Sequence, residues 1–375
     1  MKRIILIAVA ASISFCFFWQ VPKEKQQEIV KRKTVSFSFV GDLMCHLPQF
    51  EAARVSADSF DFRPAFFDIK EILSKADFTI GNLETVIAGK DRRYSGYPLF
   101  NTPEEYLAAL KDAGFDILVT SNNHSMDRGI TGVFKTIDKL KKYELLNFGS
   151  YKTAIERDSI LIIEKNEIKI ALLAYTYGLN GNKLPKQKEY AVNLIDTLLI
   201  QKDISRAKEK NADIVITYFH FGEEYKREPS LSQIEIAAKT IKFGADIIIG
   251  SHPHVIQPVE FFELPNSKMD RGFSAYSLGN FFSNQRWRYS DCGVVLNFTI
   301  EKINSKLILD TISIAPIWVS KEIVRGKNRF KILPADTLSS KAFISLNKPD
   351  QTKLIQSFYD TKEIMKAVES FTRKN

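Results

Sequence analysis

The chain has 375 residues, 45% of them hydrophobic, and a net charge of +9. That is ample material for a large core, in one big or two fused domains. Three cysteines (Cys16, Cys45, Cys292) exclude a disulfide framework, and lysine and arginine are spread along the chain rather than gathered into a nucleic-acid groove.

Lys2 and Arg3 precede an uncharged, mostly apolar run over residues 4–19, and a charged stretch follows it. This is the layout of an export signal. Residues 1–21 are therefore expected to be a signal peptide or membrane anchor, either uncleaved or cleaved or lipidated at Cys16, and 22–33 a polar linker. The body would then lie in the cell envelope, on the extracytoplasmic face of the cytoplasmic membrane.

From Val35 onward strand-like and helix-like segments alternate. Residues 35–40 form a strand, 62–74 a helix and 78–80 a strand. Thr102 is a candidate N-cap with Pro103 at the first helical position and Glu105 as capping-box partner. The helix it opens ends near Gly114, followed by a strand over 115–120. A helix over 129–143, a strand over 145–148 and a hairpin of 159–163 with 168–176 come next. Residues 196–210 read as helix, 214–220 as strand, 230–243 as helix and 246–250 as strand. After His254 the pattern changes to successive strands over 255–264, 272–278, 293–300 and 306–319, which suggests a mostly antiparallel second layer. A last helix covers 353–372. The sum is an α/β protein, a layered sandwich of mixed sheets with helices outside. One domain covers 34–320, and 321–375 is a C-terminal extension packed on it.

All five histidines follow or close these apolar runs. In open α/β sheets ligands bind outside the carboxyl ends of strands, and histidine is the commonest metal ligand. Asp42 follows the first strand; it could ligate a metal or cap a helix. Glu84 closes Gly81-Asn82-Leu83-Glu84 and could bridge two ions or open a surface loop. Asn123 could ligate through its amide oxygen, with His124 beside it as a proton donor and Asp127 holding the His124 ring in one tautomer. His220 ends a strand, where a lone histidine is commonly a core residue; in this company metal ligation is favoured. His252 and His254 flank a proline, and on an extended segment alternate residues face the same way. His46 could ligate, bind substrate or cap a turn. Arg286, Trp287, Arg288 and Tyr289 could recognise an anionic substrate or form an exposed loop. Cys45 fits a small buried filler.

Six words in order, Gly41-Asp42-Leu43-Met44, Asn82-Leu83-Glu84, Asn122-Asn123-His124-Ser125-Met126-Asp127, His220-Phe221-Gly222-Glu223-Glu224-Tyr225, Gly250-Ser251-His252-Pro253-His254 and Ser277-Leu278-Gly279-Asn280-Phe281, resemble the CapA family of poly-γ-glutamate synthesis proteins, related to calcineurin-like metallophosphoesterases. The resemblance covers about residues 35–285. It implies a four-layer α/β/β/α sandwich of the metallophosphoesterase type. The ligands of a two-ion centre (Mn, Fe or Zn) would be Asp42, Glu84, Asn123, His220, His252 and His254, with His124 the proton donor. The sequence departs from the ordinary phosphoesterase pattern where Asp42 and His46 replace an Asp-x-His opening and where Glu84 stands for a bridging Asp. The expected function is a membrane-associated, metal-dependent hydrolase-like protein that makes, exports or processes an anionic polymer such as poly-γ-glutamate or capsule. The alternatives are a non-catalytic metal-binding scaffold of a membrane synthase complex, or a phosphodiesterase. No nucleic-acid partner is expected.

Overall fold

The computed structural model describes residues 32–335 and 341–373. The signal or anchor expected over 1–21 lies outside them, as does the linker up to residue 31. The first strand starts at Arg32, two residues inside the stretch read as linker.

In chain order the strands are β1 (Arg32–Leu43), β2 (Arg54–Ser56), β3 (Ser59–Phe60), β4 (Phe78–Leu83), β5 (Ile117–Val119), β6 (Leu146–Phe148), β7 (Leu161–Lys165) and β8 (Ile168–Thr176). They continue as β9 (Ile214–His220), β10 (Ile247–Ser251), β11 (Val259–Glu263), β12 (Arg271–Ala275), β13 (Asn280–Phe282), β14 (Cys292–Ile303), β15 (Lys306–Val324) and β16 (Lys327–Pro334). One sheet has the order β16-β15-β14-β1-β4-β5-β6, with β13 alongside β1; the other has the order β11-β12-β10-β9-β8-β7. β2 and β3 make a small separate hairpin.

Each sheet has a parallel centre. β1, β4, β5 and β6 run parallel, as do β8, β9, β10 and β12. Parallel strands buried on both faces need continuous apolar runs, and β9 is buried along its whole length. Phe37, Phe39, Ile80 and Ile117 of the first sheet meet Ile170, Leu172, Ile216 and Ile249 of the second in one core. The first sheet's other face, with Val40 and Leu118, is covered by Phe66, Leu73, Leu107, Leu110 and Leu140. Beyond the second sheet, Leu173, Val215 and Ile248 pack on Ile200, Ile204 and Ala237, from helices Thr197–Glu209 and Leu231–Phe243. The layers are α/β/β/α, as expected.

Several local expectations need correction. The later strands do not form a layer of their own: β14 pairs antiparallel with β1, extending the first sheet, while β11 and β12 extend the second. The boundary placed at residue 321 falls within β15, and β16 continues the same sheet. Residues 62–74 form two short helices, Arg63–Phe66 and Lys70–Leu73. Thr102 does not cap: the helix is Glu105–Ala113, its N-cap is Glu104, and the Thr102 hydroxyl lies 2.7 Å from that of Thr85. The last helical segment is Lys348–Ile364 followed by Lys366–Glu369. Among the described residues no helix is long and apolar enough to cross a membrane.

Candidate metal centre

The parallel strands of both sheets end at one rim, and that rim gathers the polar residues. β1 delivers Asp42 and β9 delivers His220. Glu84 and His252 follow β4 and β10 directly, His254 lies two residues on, and Asn123 lies four residues after β5. All six are buried. Backbone proximity makes this possible at Gly41, where a Cβ would stand 1.8 Å from the Gly279 carbonyl oxygen. Without that side chain, the Asp42 N–H donates to the same oxygen at 3.0 Å.

His252 and His254 converge for a different reason from the one read in the sequence. The segment is not extended: His252 has φ +101° and His254 φ +58°. Non-glycine residues there carry about 1–3 kcal/mol of strain each. The two rings end 6.0 Å apart, and His252 lies 4.8 Å from His220.

Glu84 is the centre of the arrangement. Ligand atoms of Glu84, His220 and His252 lie within 4.8 Å of one another, as do those of Asp42, Glu84 and His254. Neither Glu84 carboxylate oxygen has a hydrogen-bond partner, and neither does His252 Nδ1. A buried carboxylate without partners is costly. Two triads sharing one orphaned carboxylate are compatible with divalent metal binding. Carboxylate, imidazole and amide oxygen suit a divalent transition ion, and Asn123 Oδ1 lies 3.0 Å from His220 Nε2.

The electrostatics follow from burial. Burial and then the nearby Asp42 charge push the Glu84 carboxyl well above its usual range. Burial alone would raise Asp42 too, but the hydrogen bond and charge of His254, with His220 and Asn82, hold it well below the carboxylate range. Burial drives His220 far down and His252 to about 3, so both rings are neutral and free to ligate near pH 7.

A second ring of groups fixes the first. Asn82 Nδ2 donates to Asp42 Oδ1 at 2.8 Å; the Asn thus orients Asp42. His254 Nδ1 lies 3.1 Å from both Asp42 Oδ2 and Asn280 Oδ1. Ser251 Oγ lies 3.1 Å from His220 Nδ1. Asp127 Oδ2 lies 2.8 Å from His124 Nδ1 and accepts the Phe100 N–H at 2.7 Å. Cys45 is buried, with its thiol pushed up to about 12 by that burial.

His46 caps the helix Leu47–Ala52. Its ring meets Phe100 edge-on at 5.3 Å, and Phe100 packs on His124 at 4.7 Å. Burial lowers His46 to about 4. It thus stands behind the proton-donor candidate rather than among the ligands. Arg286 and Arg288 turn elsewhere. Arg286 donates to the Val319 carbonyl and lies over Trp318, and Arg288 makes two hydrogen bonds to Asp360 at 3.0 and 2.8 Å. Those partners belong to β15 and the helix Lys348–Ile364, so the substrate-binding role expected of both arginines has no geometric support. Sequence reasoning passed over Asn180, Tyr177 and Tyr225. Asn180 Oδ1 accepts from Asn123 Nδ2 at 3.2 Å, and the two tyrosines lie on His252 and His254.

A family model described as bacterial capsule synthesis protein PGA_cap matches residues 36–285, two thirds of the chain. The chain belongs to this family. Among family relatives, the PGA biosynthesis protein CapA of Bacillus subtilis (strain 168) is 28% identical over 89% of this chain and 87% of its own length. The capsule biosynthesis protein CapA of Bacillus anthracis is 27% identical over 93% of this chain and 85% of its own. Among solved structures, the Haemophilus influenzae NAD nucleotidase aligns with 89% of this chain and 64% of its own, at TM-score 0.47 and 14% identity. This chain spans less than two thirds of that protein.

Proposed function

We propose that this PGA_cap-family protein is a metal-dependent hydrolase of the cell envelope, working in the synthesis, export or processing of an anionic extracellular polymer, poly-γ-glutamate or another capsule polymer. The observation that carries the reading is Glu84, a buried carboxylate with no hydrogen-bond partner, shared by two triads. The names of the two Bacillus relatives supply the polymer. The apolar run over 4–19 supplies the extracytoplasmic location, and partnership with a membrane synthase complex is part of the same proposal.

Divalent ions held by Asp42, Glu84, Asn123, His220, His252 and His254 would supply Lewis acidity for attack on an ester, amide or phosphoester. The chain's own residues orient and move protons. Asp127 engages Nδ1 of His124, which leaves Nε2 to give a proton to the leaving group. Asn82 and Asn280 hold Asp42 and His254 at fixed positions.

The test is hydrolysis of a panel of ester, amide and phosphoester substrates by Mn-loaded protein and its His124→Ala variant. Turnover that falls about 10²–10⁴-fold in the variant at unchanged metal content supports the reading. Polymer formation in cells that is equally well restored by His124→Ala contradicts it and favours a scaffold.

A further inference from the structure

Four large aromatic side chains stand exposed around the buried cluster. Tyr97 is 71% exposed, Trp287 51%, Tyr177 49% and Tyr225 41%. They come from four separate loops: the stretch before helix Glu105–Ala113, and the segments after β8, β9 and β13. Each ring touches the site or its neighbour. Tyr177 lies 4.5 Å from the His252 ring, Tyr225 lies 6.0 Å from His254, and Tyr97 lies 6.5 Å from His124. Trp287 meets Tyr225 edge-on at 5.2 Å.

Exposed aromatic surface gathered around one buried polar cluster marks a ligand-binding wall, since scattered exposure would need no explanation. Tyr225 adds a second observation. Its φ is +65°, a costly conformation for a tyrosine, and its N–H donates to the Pro253 carbonyl at 2.7 Å. The strained backbone sets this ring over His254, and Gln285 Nε2 donates to its hydroxyl at 3.2 Å.

The rim's chemistry discriminates between substrates. A chain of carboxylates would call for guanidinium or ammonium groups at the cleft. Among the described residues, the side chains within hydrogen-bond or ion-pair reach of Asp42, Glu84, Asn123, His220, His252 and His254 are carboxylates, imidazoles, amides and a hydroxyl, with no lysine or arginine. Arg286 and Arg288 are occupied elsewhere. The rim offers instead electron-rich ring faces, phenolic hydroxyls and the amides of Asn123 and Asn180. Ring faces take the C–H-bearing face of a pyranose, and hydroxyls and amides take its OH groups.

We infer that Tyr97, Tyr177, Tyr225 and Trp287 form a saccharide-binding rim, so that the substrate presented to the metal centre carries sugar rings rather than being a bare polyglutamate chain. This deepens the hydrolase reading and rests on it for the identity of the reacting site.

The experiment is calorimetric titration of the full-length protein in detergent, Mn-loaded and EDTA-treated, with metal content measured on every sample. The probes are hexamers of N-acetylglucosamine, β-1,4-glucose and galacturonic acid, and a γ-linked hexaglutamate. The variants are Trp287→Ala and Tyr97→Ala, neither of which replaces a proposed ligand. At least one saccharide is expected to bind with a Kd of about 1 mM or tighter. Each variant should weaken it about three- to tenfold, as loss of one ring contact implies. Metal content should stay at the wild-type value. The inference is overturned if no saccharide binds the loaded protein, if both variants bind as wild type, or if only hexaglutamate binds. Saccharide binding by a protein that takes up no metal would sink the hydrolase reading and leave the rim standing.

Discussion

Two buried charged clusters in this molecule are finished differently. In one, Asp203 is gripped by Arg157 through two hydrogen bonds of 2.9 and 2.5 Å and by the Tyr175 hydroxyl at 2.8 Å. Arg157 itself also reaches Asn193 and Asp158. Every charge there has a protein partner. In the other, Glu84 is as deeply buried but has none, and imidazole nitrogens stand 3.7 and 3.9 Å from its Oε1. A satisfied buried charge is complete as a piece of structure; an unsatisfied one, ringed by imidazoles, is built for a ligand.

The contrast can be broken by mutation, and the largest effect belongs to the satisfied cluster. Arg157→Ala strips the buried Asp203 of its bidentate partner, leaving it the Tyr175 hydroxyl and the more distant Arg206 at 3.8 Å, and should cost about 3–5 kcal/mol in urea denaturation while leaving metal uptake unchanged. Metal loss in that variant would mean that the two clusters are one system. Glu84→Gln should do the reverse. Without metal the variant should be about 1–3 kcal/mol more stable than wild type at pH 8, because an uncompensated buried carboxylate is removed. A destabilised metal-free variant would show that Glu84 has a protein partner after all.

Asn280→Ala removes one of the two groups that hold His254 Nδ1 and should weaken metal affinity about 10–100-fold with little change in fold stability. Unchanged affinity would make Asn280 packing only. The smallest effect is a slope. His46 and His252 have folded pKa values depressed to about 4 and about 3 from an ordinary 6.5. The unfolded chain therefore takes up protons first, and the stability these two rings contribute is present above pH 6.5 and lost as pH falls toward 4. Urea midpoints of metal-free protein at pH 7.5 and 5 should show the decline, and His46→Gln should reduce it.

The contrast was only partly legible in the sequence. Position near the ends of apolar runs made Asp42, Glu84, Asn123, His220, His252 and His254 candidates, but only the family resemblance of the words they sit in named them as one ligand set; the structure brings them together. The way His252 and His254 converge was misread, since left-handed backbone at both positions has no signature in His-Pro-His. Arg157 and Asp203 gave no signal; their pairing joins two helices 46 residues apart. Tyr97, Tyr177, Tyr225 and Trp287 lie on separate loops, and only the assembled rim shows that their exposure coincides. The division of strands between the sheets was hidden for a similar reason. β14 reaches β1 across some 260 residues of chain, and local pattern carries no information about such pairing. Within some single elements the pattern was reliable: β9 has the bounds read from its apolar run, and the helix Leu231–Phe243 follows a Ser230 capping box.

The central claim is that Glu84 completes a two-ion site. Its most direct test is isothermal titration of the metal-free protein with Mn²⁺, with elemental analysis of the product, for wild type and Glu84→Gln side by side. The account predicts two ions per wild-type chain, a stoichiometry that drops in the variant, with release of protons on binding. Wild-type protein that is folded and takes up no Mn, Fe or Zn, or a variant that binds two ions as tightly as wild type, would contradict it.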